Sequence, residues 1–284
     1  MKNYKSWVLT AANREQDVKL FEILFSFMKS KTLIQLVLFF VLLNLSYYSF
    51  SQNTDSTKVI SNFAGAVTVT NNGISFIPTF SLGKPAAIFD MTVGRKLSFE
   101  PQFRFALEGK PWSFIFWWRY KLVKTNKIAI NLGAHPAILF KTVTDTVNGV
   151  SQEMIRAQRN VAVELSPNYF LSKNISIGMY YLYGYCLENF SIKNTHYLTF
   201  NISFSNIRLP YQYYMKFTPQ VYYLKMDKQH GFYFSSALTL ANRKFPISIS
   251  TLINNIITTD ITASKNFVWN VSLIYSFNKK YVEL

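Results

Sequence analysis

The chain holds a single cysteine, Cys186. No intrachain disulfide is possible, zinc-type Cys/His spacing is absent, and Cys186 reads as a small packed side chain. Acids are scarce too, with 14 Asp and Glu against 30 Lys and Arg. There is no glycine-rich phosphate loop, heptad, internal repeat or low-complexity tract, which removes P-loop and coiled-coil readings. Beyond residue 45 no stretch offers 18 consecutive apolar residues, so no further transmembrane helix is expected. No metal or other cofactor is implied by any motif. Yet 49% of the chain is hydrophobic, with 26 Phe and 18 Tyr. Something must receive that apolar surface.

The first 51 residues are not read as fold. Met28, Lys29, Ser30 and Lys31 form a short basic region, Thr32–Leu45 is almost uniformly apolar, and Ser49-Phe50-Ser51 supplies small residues at the two cleavage positions. That order is a secretory signal peptide over 28–51, cut before Gln52. An uncleaved anchor helix is the alternative, although the run is short for a full span. Met28 competes with Met1 as the start. Residues 1–27 are then either an upstream extension or a long basic lead.

What is abundant is period-two alternation. Leu97, Phe99, Pro101, Phe103, Phe105 and Leu107 interleave with Ser98, Glu100, Gln102, Arg104, Ala106 and Glu108. After a Glu108-Gly109-Lys110 turn, Trp112, Phe114, Phe116, Trp118, Tyr120 and Leu122 share one parity, opposite Ser113, Ile115, Trp117, Arg119 and Lys121. Period two means β-strand with one apolar and one largely polar face. Such runs are about 12 residues long, against roughly 5–6 in ordinary globular strands. A tilted strand needs about 9–11 residues to cross a bilayer.

Similar runs give an all-β chain of about twelve strands, with ten or fourteen as alternatives: 74–82, 86–93, 97–107, 112–122, 128–141, 156–171, 175–187, 197–206, 211–224, 232–241, 245–256 and 267–277. Residues 52–73, including the strand-like Phe63–Asn71, are expected to be a periplasmic lead-in or partial strand, and 74–284 the barrel. Connections near 142–155, 188–196, 225–231 and 257–266 are expected to be long, and those near 172–174, 207–210 and 242–244 short. Alternating long and short connections suit a transmembrane barrel with both chain ends in the periplasm. Pro78, Pro101, Pro136, Pro167 and Pro219 fall inside proposed strands, where each predicts a kink or bulge.

Leader, aromatic-rich alternating strands and a terminal strand reaching Phe277 together resemble the small outer-membrane β-barrel proteins of Gram-negative bacteria. The resemblance covers residues 52–284 and is one of pattern. It implies an antiparallel up-and-down transmembrane β-barrel in the outer membrane. Its implied partners are outer-membrane lipid and lipopolysaccharide and, during insertion, the barrel-assembly machinery; a homo-oligomer is open. One departure concerns the insertion signal, because Asn278–Leu284 continue past the terminal aromatic. The competing architecture is a soluble β-sandwich or lipocalin-like barrel, whose single interior would have to hold all the rings listed above.

From Gln52 onward 24 bases face 11 acids, a balance of +13. The bases are scattered at turns, which fits lipid headgroups better than nucleic acid. With apolar residues outward, Glu100, Gln102, Arg104, Arg119, Lys121, Asn131, His135, Arg156, Gln158, Glu164 and Lys216 are the lumen-lining candidates. More bases than acids in this set imply a narrow channel with weak anion preference. The alternative is a packed lumen, closed by pairing of Arg104, Glu100 and Glu164, in a structural or accessory barrel. An outer-membrane lipid-modifying or peptide-hydrolysing enzyme is the third reading, with His135, His196 and His230 as its histidines and Asp227 close to His230. No nucleophile stands at catalytic spacing from them, so no catalytic residue is assigned.

Overall fold

The computed structural model describes residues 60–282 apart from 148, 149 and 190. The expected extension and leader, residues 1–51, lie outside the described residues. The described chain forms twelve strands: β1 Ile60–Thr70, β2 Ala86–Gly94, β3 Leu97–Ala106, β4 Pro111–Lys124, β5 Ile128–Val147, β6 Val150–Phe170, β7 Ile175–Cys186, β8 Asn194–Arg208, β9 Tyr213–Met226, β10 Gln229–Asn242, β11 Phe245–Thr259 and β12 Phe267–Val282. Each pairs antiparallel with its sequence neighbours, and β1 pairs with β12 to close the barrel.

Closure settles which segment is the first strand. The expected strand at 74–82 is not in the wall; β1 takes its place, from within the segment assigned to a lead-in. Both segments alternate, but Gly73, Pro78, Gly83 and Pro85 punctuate the second, whereas Ile60–Thr70 contains no proline and can pair on both edges. Asn278–Val282, past the expected strand end, complete the ladder with β1, from Ile60 opposite Val282 to Thr70 opposite Ser272.

Two expected long connections also shrink. The β5–β6 hairpin stays paired from Ile128–Tyr169 out to Val147–Val150. The β9–β10 connection is Asp227-Lys228, with Asp227 at φ 52°, a left-handed conformation that Asp tolerates in two-residue hairpins. Connections at 71–85, 107–110, 187–193, 227–228 and 260–266 share one end of the barrel, termed the loop end. Those at 95–96, 125–127, 171–174, 209–212 and 243–244 share the other, the turn end, with the start of β1 and the end of β12.

The prolines act differently from the expected bulges. Between β2 and β3 pairing lapses beside Pro101, between Asp90–Gln102 and Val93–Phe99. It lapses beside Pro136 between β4 and β5, beside Pro167 between β6 and β7, and beside Pro219 between β8 and β9. The register is the same on both sides of every gap. A missing N–H removes a rung locally, while the flanking pairs hold the alignment. Pro78 lies outside the wall. The register shifts fall elsewhere, as at Arg104/Phe105 between β3 and β4.

Outward positions carry a continuous run of exposed apolar side chains, among them Val163, Phe200, Val271 and Leu273, and Trp118 at 50% exposure. Inward positions alternate with them.

At the loop end the Asp227 carboxylate accepts from the backbone N–H groups of Asn194, at 2.8 Å, and Lys193, at 2.9 Å. These bonds hold its pKa below the ordinary 3.8, Asn194 contributing most. A depressed carboxylate stabilises the fold above its unfolded pKa and loses that contribution as pH falls through the folded one. Hydrogen exchange in the 187–194 loop is therefore expected to show protection at pH 5 that fades below pH 3.8. Asp227→Asn is expected to remove the pH dependence. Equal fading in that variant refutes the anchor.

Candidate functional site in the barrel lumen

The lumen is divided along its length. Toward the turn end it is lined by small polar residues, including Asn168, Asn201, Ser203, Thr218, Thr239 and Ser250, with exposed Lys216 beside them. Ser203 bonds Thr218 at 3.3 Å and Thr239 bonds Ser250 at 3.0 Å. Toward the loop end the wall turns apolar and aromatic: Ile115, Trp117, Leu182, Tyr197, Tyr222, Leu224 and Tyr233 form one buried cluster. The alternation points these residues inward, but only the curvature of the barrel brings side chains of five strands, β4 and β7 to β10, together.

The connection between β1 and β2 fills this apolar half. Residues 73–84 fold back as a small hairpin: Gly73 N–H donates to the Lys84 carbonyl at 2.9 Å, Leu82 to Gly73 at 2.7 Å and Ser75 to Phe80 at 2.8 Å. Its backbone is thus largely self-satisfied, which is what permits it to sit in an apolar enclosure. Phe76, Ile77 and Phe80 pack on the buried cluster. The Phe76 ring lies 5.3 Å from that of Tyr180, 5.8 Å from Tyr197 and 6.2 Å from Trp117. The hairpin's base is tied to the wall. Asn72 donates to the Trp269 carbonyl at 3.0 Å, Ser81 to the Asn72 side chain at 2.6 Å, and Lys84 pairs with Glu108 at 3.0 Å. Ile261 from the 260–266 connection joins the same core, and Ser264 bonds the Tyr233 hydroxyl at 2.7 Å.

Beneath the hairpin tip lies a charged layer. Arg119 donates from Nε to Glu164 at 2.6 Å and from one terminal nitrogen to Glu100 at 2.5 Å, and its guanidinium lies 4.2 Å from the Trp117 ring centroid. Tyr180 donates to the other Glu164 oxygen at 2.5 Å, and Ser98 to Glu100 at 2.7 Å. The His135 ring meets Trp117 edge-on, 4.0 Å between centroids. One guanidinium therefore faces two carboxylates, at the point where polar lumen gives way to aromatic lumen.

Arg119 is on β4 and Glu164 on β6, with β5 between. They meet because the intervening position, opposite both, is Gly133. A Cβ there would stand 2.6 Å from Glu164 Oε1. This glycine was not among the sequence candidates. Its signal was a glycine sharing the lumen-facing parity of Asn131 and His135 within an otherwise regular strand.

The remaining candidates are dispersed. Arg104 donates to Gln102 at 3.2 Å and lies 5.6 Å from the ring of Trp112. The β3–β4 register shift brings Trp112 against Gly73 at the hairpin's base, although its parity with Phe114 predicted an outward position. Lys121 reaches the Arg95 carbonyl at the turn end, 2.7 Å away. Asn131 is half-buried opposite Lys121 and Ser166, and Arg156 is exposed at the loop end. Gln158 bonds Ser191 of the 187–193 connection. The histidines are also apart. His135 is in the lumen, His196 bonds Tyr181 at 2.9 Å, and His230 has Asp260 rather than Asp227 beside it, at 3.6 Å.

No protein family matches the chain, and no curated protein does. Solved structures with a similar architecture include the KdgM porin, at 10% identity and a TM-score of 0.46 over 76% of this chain and 99% of that one. An outer membrane channel from Pseudomonas putida F1 is similar at 9% identity and TM-score 0.45, over 79% and 99%. The NanC porin is similar at 10% identity and TM-score 0.44, over 78% and 100%. The fold assignment rests on this chain's own closed ladder.

The Gly133 gap yields a direct test. Gly133→Ala is expected to force Glu164 off Arg119 and cost about 1–3 kcal/mol, read from denaturant unfolding in detergent micelles. In a Glu164→Ala background the same substitution is expected to cost almost nothing. Equal costs in both backgrounds refute the clamp.

Proposed function

We propose that this protein is an outer-membrane barrel acting as a narrow channel for small solutes, occluded in this conformation by the 73–84 hairpin. The observation that carries the reading is the split lumen, a polar vestibule running into an apolar hairpin seated on a tyrosine-rich wall. The membrane part is supported by exterior chemistry. Soluble monomers rarely expose apolar patches beyond a few hundred Å², and a closed barrel is the sheet that satisfies every backbone group in lipid. Placing the loop end outside follows the usual arrangement of such barrels, with both chain ends periplasmic.

Conduction requires the hairpin to leave its seat. Most of its polar attachments are at its base, while its tip is held by ring contacts, apolar packing and one hydrogen bond between the Thr79 backbone and the Tyr222 hydroxyl. Burying two Phe rings and an Ile stabilises the seated state by about 1.5–3 kcal/mol each at most, before the ordering entropy is subtracted. A seat of this strength is reversible.

The charged layer bears on selectivity. Arg119 is matched by Glu100 and Glu164, so the constriction carries more carboxylate than base. Anion preference would have to come from Lys121 and Lys216 nearer the turn-end mouth. The second reading, a packed structural barrel, draws on the same ion pairs and on the continuous core between hairpin and wall.

Planar-bilayer conductance separates the two. The full chain is expected to show rare, small openings, and replacement of 74–82 by a Gly/Ser linker is expected to give frequent ohmic steps. Silence from both proteins across all salts supports the packed barrel and overturns the channel.

A further inference from the structure

We propose that the loop-end rim of β8, β9 and β10 is a seat for the phosphate of a membrane lipid. The proposal rests on the membrane reading above and names a specific ligand site on the barrel's outer wall.

The ladder aligns three outward-facing rungs here. His196, Lys225 and His230 are directly opposed across β8, β9 and β10. The next outward rung toward the barrel's middle is Leu198, Tyr223 and Phe232, and the one after that Phe200, Val221 and Phe234. Directly opposed side chains stand about 4.5–5.5 Å apart at Cβ, so the basic rung spans about 10 Å. One rung is therefore basic and the two below it are oily. That is the profile of an anionic headgroup above its acyl chains.

The apolar rungs are not flat. Leu198, Phe200, Val221, Tyr223, Phe232 and Ile257 line a groove of about 510 Å³ on the outer surface, with His230 at its upper margin. Each base is held or aimed. His196 Nδ1 shares a hydrogen bond with the Tyr181 hydroxyl at 2.9 Å, and its ring lies tilted against that of Tyr183, 5.0 Å between centroids. Asp260 accepts from the His230 backbone N–H and places its other oxygen 3.6 Å from His230 Nδ1. Lys225, between them, is exposed and has no carboxylate partner among the described residues.

The rim is not uniformly basic. Elsewhere around this end Val69, Leu107 and Phe267 are exposed. Arg159 on β6, beyond β7, is paired with Glu188 at 2.7 Å. The β8–β10 sector thus combines an unmatched ammonium, two imidazoles and an acyl-sized groove. Charge complementarity selects a phosphorylated lipid over a neutral one.

The test uses the full chain. The protein is first floated with dioleoylphosphatidylcholine vesicles, then transferred to neutral detergent. Retention of dioleoylphosphatidate is compared with that of dioleoylphosphatidylcholine by native mass spectrometry. The wild type is expected to retain one phosphatidate in preference to phosphatidylcholine. Lys225→Gln is expected to weaken that preference about fivefold, the weight of one Lys at an anionic surface. The His196→Gln/Lys225→Gln/His230→Gln variant is expected to abolish it, and Lys244→Gln at the turn end to leave it intact. Unchanged preference in the triple variant overturns the site. Displacement of the lipid by inorganic phosphate reassigns the rung to free anions and overturns the lipid reading. Failure to float overturns the membrane reading, and the site with it.

Discussion

Everything in this molecule follows from the pairing of β1 with β12. An open sheet leaves two rows of N–H and C=O groups to be satisfied by water or another chain. Closing the ring satisfies them internally, and it forces every side chain to choose between an inner and an outer face. The outer face is then free to be continuously oily. The inner face becomes a confined volume in which a side chain from β4 meets one from β6, or a loop meets the aromatic wall.

That confined volume is not filled uniformly. Small hydroxyls and amides line it near the turn end, while aromatic rings near the loop end pack on an apolar guest. The guest is supplied by the chain itself. The 73–84 hairpin can enter because it brings its own backbone hydrogen bonds and presents Phe76, Ile77 and Phe80 to the wall. Its base is tied to the wall by Asn72, and its tip by packing and the Thr79–Tyr222 hydrogen bond.

Charge is distributed by the same logic. Inside, Arg119 is locked between two carboxylates through a gap left by Gly133, so its charge is matched within the lumen. Outside, Lys225 stands without a carboxylate partner between His196 and His230 on the loop-end rung of β8–β10.

Alternation at Leu97–Leu107, Trp112–Leu122 and their counterparts was enough to read strands, face polarity, strand number and barrel class from sequence. Period two is a local consequence of the pleat, so it survives without knowledge of partners. The first strand was misplaced because 60–70 and 74–82 alternate alike; the glycines and prolines around the second weaken it, but the pairing with the end of β12 decides between them. Glu100, Arg119 and Glu164 were legible as inward charges, but their union across Gly133 was not. The hairpin's seat and the basic rung at the rim were hidden for the same reason. Facing direction is written in each strand, whereas neighbours across strands are set by register and closure, which exist only when the ring is complete.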